Sequence, residues 1–248
     1  MTKQPIGLGG VILALSFSVL LAGCGAGTKD PASTKAPATS AKAPATFSKV
    51  FKDQLAWQPL FDGKSLTGWK ATNFGGEGEV SVKDGVILME QGNDMTGVTY
   101  DRENFPKMDY EVVLEGKKLK GNDFFCTTTF PVGDDHCSLV VGGWRGTVVG
   151  LSSIDDLDAS ENNTNSLMNF KHDQWYRVRI RVTRERIEAW IDAEKVVDLA
   201  TRGKKITIRG ECDACKPFGI GTWRTTGAVR DIRVRQLTEG EKAAGEKK

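Results

Sequence analysis

General acid–base chemistry in proteins is carried mostly by histidines and carboxylates. Glu111 and Glu115 lie four residues apart in a segment of strand character, so both side chains share one face and could point into a cleft. The other interpretation is a solvated outer row on a half-buried strand. His136 follows Asp134 and Asp135, whose carboxylates could orient its ring or raise its pKa; alternatively it is an exposed turn residue. Glu111 and His136 are therefore candidate catalytic residues.

Tryptophans next to arginines indicate a second kind of chemistry. A flat ring can cover the C–H face of a sugar, while a guanidinium can bind hydroxyl groups. The pairs Trp144-Arg145 and Trp223-Arg224 each follow a glycine-rich stretch. Trp190 lies on the polar face of its strand, where an indole leaves apolar surface wet unless something covers it. These five residues are candidate sugar-binding residues, and core packing is the other interpretation for each tryptophan.

The first 23 residues are typical of an export signal. Lys3 precedes an apolar run, residues 6–22, that is too short and too rich in glycine for a membrane span of ~20 residues. The run ends in Leu21-Ala22-Gly23-Cys24, which resembles the lipobox of bacterial lipoproteins. That resemblance implies lipidation at Cys24 and a membrane anchor, and Gly25 favours the outer membrane or the cell surface. An ordinary signal peptide with a chance cysteine is the alternative.

Four further cysteines, Cys126, Cys137, Cys212 and Cys215, allow three disulfide connectivities. Because disulfides persist outside the cytosol, we expect local pairs, 126–137 and 212–215. A four-cysteine zinc site is the alternative, but only Cys212-x-x-Cys215 has the spacing that such sites favour.

Composition divides the remaining chain. The 34 basic and 32 acidic residues among 248 give a net charge of +2, which provides no basic footprint for nucleic acid. Residues 24–50 are rich in Ala, Pro and Thr and predict a tether. Residues 239–248 are small and charged and predict a disordered tail. Residues 51–238 remain as one domain.

Alternating hydrophobicity predicts that this domain is all-β. In Trp175 to Val182 the apolar side chains share one face and three arginines share the other, and Ile187 to Asp192 continues the pattern. About a dozen short strands without intervening helices predict a sandwich of two antiparallel sheets.

Several motifs resemble the 3-keto-disaccharide hydrolase family, over about Gln58 to Leu237. The opening run LFDGKSLTGWK (60–70) is the most specific, and VSVKDG (80–85), the hairpin of QWYRV (174–178) and EAWID (188–192), and FGIG (218–221) are also similar. The resemblance implies a concanavalin A-like jelly roll. Two stretches depart from the family pattern. Family members often carry a polar strand with an acidic residue where this chain has the apolar residues 138–144, and they often carry a Gln and a His where this chain has residues 222–224.

The resemblance also implies a chemistry. A carbonyl at sugar C3 makes the neighbouring C–H acidic, so a base can remove that proton while an acid helps the glycosidic oxygen leave. Gly121-Asn122-Asp123 stands where the family has Gly-Asn-Ser-Gly. On this likeness Asp123 is a candidate catalytic residue and Asn122 a candidate substrate-binding residue.

We therefore expect an exported, lipid-anchored, carbohydrate-active protein that hydrolyses 3-keto-disaccharides or related glycosides. A lectin-like module without catalysis is the alternative, and docking of another protein is a third. The expected partners are carbohydrate and membrane. No cofactor is expected, apart from a structural calcium ion, which takes about 6–8 oxygen ligands. A solvated loop is the other interpretation of the acidic residues that suggest calcium: Asp155, Asp156, Asp158 and Glu161.

Overall fold

The computed structural model describes residues 56–246, so the predicted signal peptide, the lipidation at Cys24 and the tether lie outside the described residues. Within this range fifteen strands form two antiparallel sheets. The strands are β1 Gln58–Pro59, β2 Trp69–Ala71, β3 Val80–Lys83, β4 Val86–Met89, β5 Met95–Tyr100, β6 Tyr110–Lys120, β7 Thr127–Val132, β8 Asp135–Gly142, β9 Val148–Ser152, β10 Ser166–Leu167, β11 Trp175–Val182, β12 Arg186–Ile191, β13 Glu194–Ala200, β14 Gly219–Trp223 and β15 Thr226–Gln236.

The two sheets form a sandwich. Sheet A has the order β13-β12-β11-β6-β15-β4-β3, with β1 also paired to β15, and sheet B has the order β10-β9-β8-β7-β14-β5-β2. A turn at Gly143–Gly146, a 3₁₀ helix at Gly210–Cys215 and a C-terminal helix, α1, at Glu239–Glu246 complete the described chain. No helix in residues 56–246 is long and apolar enough to cross a membrane. The predicted two-sheet, concanavalin A-like jelly roll is confirmed.

The core lies between the sheets, as the alternating pattern predicts. On β11 the side chains of Tyr176, Val178 and Ile180 are buried, and on β8 Cys137 and Leu139 face them from sheet B. The residues that alternate with these on β8 therefore point out of the sandwich. That outer face of sheet B carries the cleft described below.

The opening motif is the structural clasp that its turn residues predict. The Asp62 carboxylate accepts hydrogen bonds from the backbone N–H groups of Lys64 and Ser65, each at 2.8 Å. The Trp69 indole N–H donates to the Leu60 carbonyl at 2.8 Å, and its ring packs 5.3 Å from that of Tyr100. These contacts close one end of the core.

The C-terminal segment differs from the predicted disordered tail, because Glu239–Glu246 forms helix α1. Thr238 and Glu241 make a capping box: the Glu241 N–H donates to Thr238 Oγ1 at 3.1 Å, and the Thr238 N–H donates to Glu241 Oε2 at 2.9 Å. The Glu241 carboxylate also pairs with Arg235 of β15 at 2.7 Å. Composition alone does not reveal these contacts.

The Glu241 carboxylate makes the stability depend on pH. Hydrogen bonds from Arg235 are the main cause that lowers its pKa from 4.5 to about 2. Its stabilising contribution is thus fully present above pH 4.5 and is lost as the pH falls through 2. We expect Glu241→Gln to lower Tm at pH 7, and the difference from the wild type to vanish near pH 2. Exposed Glu239 provides the control, as Glu239→Gln; a difference that does not change with pH would contradict this account.

Candidate functional site

A cleft of about 220 Å³ lies on the outer face of sheet B. Three aromatic rings, two carboxylates, one guanidinium and several hydroxyl groups meet there. Its lining residues are Met95, Asp123, Phe124, Thr127, Ser138, Val140, Trp144, Ser152, Arg209, Glu211, Cys212 and Trp223. The apolar walls with a few polar groups have the character of a small-molecule site.

The 3₁₀ helix closes one side of this cleft. It lies directly on β14 because Gly219 has no side chain there: a Cβ on Gly219 would lie only 2.6 Å from the carbonyl oxygen of Cys215. The buried side chains of Cys212 and Cys215 pack with Met95 in a small apolar cluster. This docking places Glu211 and Cys212 at the edge of the cleft.

Asp123 is held at the start of the β6–β7 connection. Its Oδ1 accepts a hydrogen bond from the Phe124 N–H at 2.8 Å, and its Oδ2 accepts one from the Arg145 N–H at 3.2 Å. Its own N–H donates to Thr225 Oγ1 at 3.1 Å. The carboxylate therefore has a fixed position and lone pairs left for a ligand. Asn122 next to it is exposed.

The Gly143–Gly146 turn presents Trp144 to the cleft. Trp144 and Arg145 both have left-handed backbone angles, with φ of 46° and 69°. A Cβ at Gly143 would lie 2.6 Å from Val140 Cγ1, so only glycine lets the turn pack this closely. The Trp144 side chain lines the cleft and is 39% exposed, and Arg145 is exposed beside it. Left-handed angles at non-glycine residues occur often at functional sites.

Trp223 forms another part of the cleft wall. Its ring lies 6.2 Å from that of Phe124, and the backbone N–H of Trp223 donates to the Phe124 carbonyl at 3.0 Å. Arg224 does not line the cleft: its guanidinium pairs with Asp94 at 2.7 Å and lies 5.7 Å from the centre of the Trp223 ring. Asp123, Trp144 and Trp223 therefore meet in one cleft, with Asn122 and Arg145 next to them in the chain.

Arg209 and Glu211 are site residues that the sequence analysis missed. Arg209 Nη2 donates to Glu211 Oε1 at 2.8 Å, and Nη1 binds Asp158. The hydrogen bonds from Arg209 lower the pKa of Glu211, so this carboxylate is ionised at neutral pH. Both residues lie in a stretch without a strand pattern, and only the docking of the 3₁₀ helix brings them to the cleft.

His136 lies outside the cleft lining. It is on β8, on the same face as Ser138, but next to Lys216 at the end of the 3₁₀ helix. Burial lowers its pKa, the Lys216 ammonium lowers it further, and Asp135 opposes the change. The pKa of His136 is thus lowered and not raised, because burial outweighs the acidic neighbours.

Glu111 and Trp190 lie on the outer face of sheet A and are not brought together with the cleft residues. Glu111 is 1% exposed and accepts hydrogen bonds from Arg179 at 3.2 Å, Arg181 at 2.9 Å and Arg235 at 3.0 Å. The Arg179 guanidinium lies 3.7 Å from the centre of the Trp190 ring. These contacts describe a buried ion cluster covered by a cation–π pair.

No disulfide joins any of the four cysteines within residues 56–246 in this structure. The expected 126–137 pair does not fit the register of β7 and β8, in which Phe130 faces Cys137. Cys126 lies four residues from Phe130, roughly 13 Å along the strand, whereas disulfides need Cα atoms within about 7 Å. Cys212 and Cys215 lie three residues apart on a 3₁₀ helix, where side chains eclipse. Their pairing stays a prediction.

Two carboxylates of the acidic loop that suggested calcium form ion pairs with lysines. Asp155 pairs with Lys204 at 2.7 Å, and Asp156 pairs with Lys205 at 2.8 Å. Among the described residues, no group of three or more His, Cys, Asp or Glu side chains is placed to hold a metal ion. The contacts agree with the interpretation as a solvated loop.

Solved structures with a similar fold include several that bind or process sugars. Crh5 transglycosylase in complex with NAG has a TM-score of 0.51 and 14% identity, and the match covers 76% of this chain and 86% of Crh5. The carbohydrate-binding module CBM66 of Bacillus subtilis has a TM-score of 0.47 and 11% identity, and the match covers 68% of this chain and 96% of the module. Domain 4 of AbnA, a GH43 arabinanase of Geobacillus stearothermophilus, has a TM-score of 0.45 and 14% identity. That match covers 71% of this chain and 86% of the domain. At these identities the likeness to Crh5 shows the fold alone.

Sequence comparison identifies the family. No curated protein matches the chain significantly. A family model does match residues 56–235, which include both sheets and every residue that lines the cleft. The chain belongs to the family of 3-keto-alpha-glucoside-1,2-lyase-like domains.

Proposed function

We propose that this protein cleaves the glycosidic bond of 3-keto-α-glucosides, with Asp123 as the general base. The observation that carries the proposal is that a fixed carboxylate and two tryptophans, Trp144 and Trp223, line one cleft in a member of this family. The lipobox-like sequence ending at Cys24 supports a place in the cell envelope, attached by a lipid anchor.

The proposed chemistry uses the acidity of the C–H next to the C3 carbonyl. Asp123 takes the proton from C2, the C1–O bond breaks as the C1=C2 bond forms, and the departing oxygen receives a proton from water. The hydroxide that remains takes the proton from Asp123, which restores the carboxylate. Addition of water to the unsaturated product would complete a net hydrolysis. A positioned base contributes roughly 10²–10⁴-fold to such a step.

The remaining lining residues supply binding. Trp144 and Trp223 offer apolar faces for the sugar ring, and the Arg209–Glu211 pair offers donors and acceptors for hydroxyl groups. Glu211 is ionised at neutral pH, so it is suited to accept hydrogen bonds rather than to donate a proton. We therefore assign it to substrate binding.

A lectin-like module is the second candidate. The observation in its favour is that Glu211 is paired with Arg209, which leaves Asp123 as the single cleft carboxylate without a basic side-chain partner among the described residues. Glycan binding without turnover would support this candidate.

Incubation of the full chain in detergent with a 3-keto-α-glucoside tests the proposal. We expect release of the aglycone, and no release from the parent glucoside, which lacks the C3 carbonyl. Equal release from both compounds, or release from neither, would reject the proposed reaction.

The tryptophans provide a test that separates binding from chemistry. We expect Trp144→Ala and Trp223→Ala each to weaken glycan binding by roughly tenfold or more, because ring stacking is lost. Trp190→Ala on sheet A is the matched control and should bind normally. Isothermal titration with a non-cleavable glucoside measures the effect. Equal losses in all three variants would contradict the assignment of the cleft.

A further inference from the structure

Lys118 is a buried lysine near the end of β6. Even-numbered residues of this strand face the core, and Tyr110, Val112 and Leu114 are apolar as expected. Lys118 continues the same face but carries a charge, and only 4% of it is exposed. Within residues 56–242 no carboxylate lies close enough to form an ion pair with its ammonium. Burial of a charge without a partner is costly, so this lysine calls for a role.

The Lys118 ammonium lies against the Gly143–Gly146 turn. A Cβ placed on Gly146 would lie 3.6 Å from Lys118 Nζ, which is an ordinary contact distance, so the ammonium is a direct neighbour of the turn. Gly146 also has a φ of 100°, which only glycine adopts readily. The lysine therefore supports the turn from the side of the core.

Asp123 contacts the same turn from the side of the cleft. Its Oδ2 accepts the Arg145 N–H at 3.2 Å, and its Oδ1 lies 4.0 Å from the Cβ position of Gly143. Burial lowers the pKa of Lys118, whereas the Asp123 charge raises it. The turn that carries Trp144 thus contacts the Lys118 ammonium on one side and the proposed base on the other.

Other charged groups near Lys118 do not replace Asp123. The backbone of Lys118 pairs with His172, whose Nε2 lies 2.9 Å from the Gly121 carbonyl oxygen, and the Asp173 N–H donates to the Lys118 carbonyl at 2.8 Å. These contacts involve the backbone of Lys118, and the acidic side chain whose charge acts on its ammonium is that of Asp123.

We propose that Lys118 is a positioning residue, whose ammonium acts through the turn on Asp123 and Trp144 and holds the carboxylate and the indole in place. The role is electrostatic, and Lys118 itself lies outside the cleft lining. The test by turnover depends on the proposed function, whereas the test by thermal stability does not.

A double-mutant cycle in stability tests the coupling without any substrate. Asp123→Asn removes the counter-charge. In the protein that retains Lys118 we therefore expect this substitution to lower Tm by about 4 °C or more. In a Lys118→Met background we expect Asp123→Asn to change Tm by roughly 1 °C, because no buried charge remains to be compensated. Equal falls in both backgrounds would overturn the proposal. Lys118→Gln replaces Lys118→Met if the latter does not fold.

Turnover gives a second readout. We expect Lys118→Met to lower kcat roughly tenfold with little change in KM, and Lys118→Arg to retain more activity than Lys118→Met, since it keeps the charge. In the Asp123→Asn background, Lys118→Met should cause no further loss. A change in KM alone, or equal losses in Lys118→Arg and Lys118→Met, would overturn the positioning role. If the wild type cleaves no substrate, the proposed function fails, and the cycle in Tm still decides the coupling.

Discussion

Replacement of Asp123 by asparagine is expected to lower kcat/KM for a 3-keto-α-glucoside by roughly 10²–10⁴-fold. An amide keeps the size of the side chain and can still accept the N–H groups of Phe124 and Arg145. It cannot take a proton from carbon. Steady-state release of the aglycone, with the folded fraction checked by circular dichroism, measures the effect.

Glu115 provides the matched control for this variant. It is a carboxylate on the outer face of sheet A, paired with Arg230 at 2.7 Å, and it does not line the cleft. Glu115→Gln should cleave at the wild-type rate. If Asp123→Asn retains full activity, Asp123 is not the base.

Glu111→Gln is expected to lower the free energy of unfolding by about 3–5 kcal/mol at neutral pH. The carboxylate is almost completely buried, and the substitution leaves the guanidinium groups of Arg179, Arg181 and Arg235 without their shared anion. Unfolding by urea, followed by tryptophan fluorescence, gives the difference. Glu115→Gln, which removes a single, more exposed ion pair, should cost less than about 1 kcal/mol.

The same variant examines the prediction that Glu111 is catalytic. Because Glu111 lies on the sheet opposite the cleft, we expect the folded Glu111→Gln protein to turn over substrate normally. Loss of activity in a protein shown to be folded would indicate that Glu111 is catalytic. It would then contradict the location of the active site in the cleft.

The fold could be predicted from the sequence because its signals are local. The alternation along β11 depends on neighbouring residues, and so does the turn at Asp62, whose side chain bonds the next backbone N–H groups. Helix α1 was missed, because the small and charged composition hid the local Thr238–Glu241 capping box, and because the Arg235–Glu241 ion pair joins two different elements.

The site could be predicted only in part. Trp144 and Trp223 follow glycine-rich stretches, which marked them as unusual, and the family motif marked Asp123. Arg209 and Glu211 carry no such local signal, since they reach the cleft through the packing of Cys215 on Gly219.

Sequence spacing also cannot assign a polar residue to one sheet or the other. Glu111 and Trp190 satisfied the pattern expected of site residues, yet their partners are the arginines of sheet A. Lys118 shows the reverse case. A lysine near the end of a strand is expected to be exposed, but Lys118 is buried.

Cleavage of a 3-keto-α-glucoside deuterated at C2 tests the central claim most directly. If Asp123 removes the C2 proton, the deuterated compound is cleaved more slowly than the protonated one, and the released sugar has lost its C2 deuterium to the solvent, as mass spectrometry would show. Cleavage of both compounds at equal rates, with the deuterium retained at C2, would contradict the account.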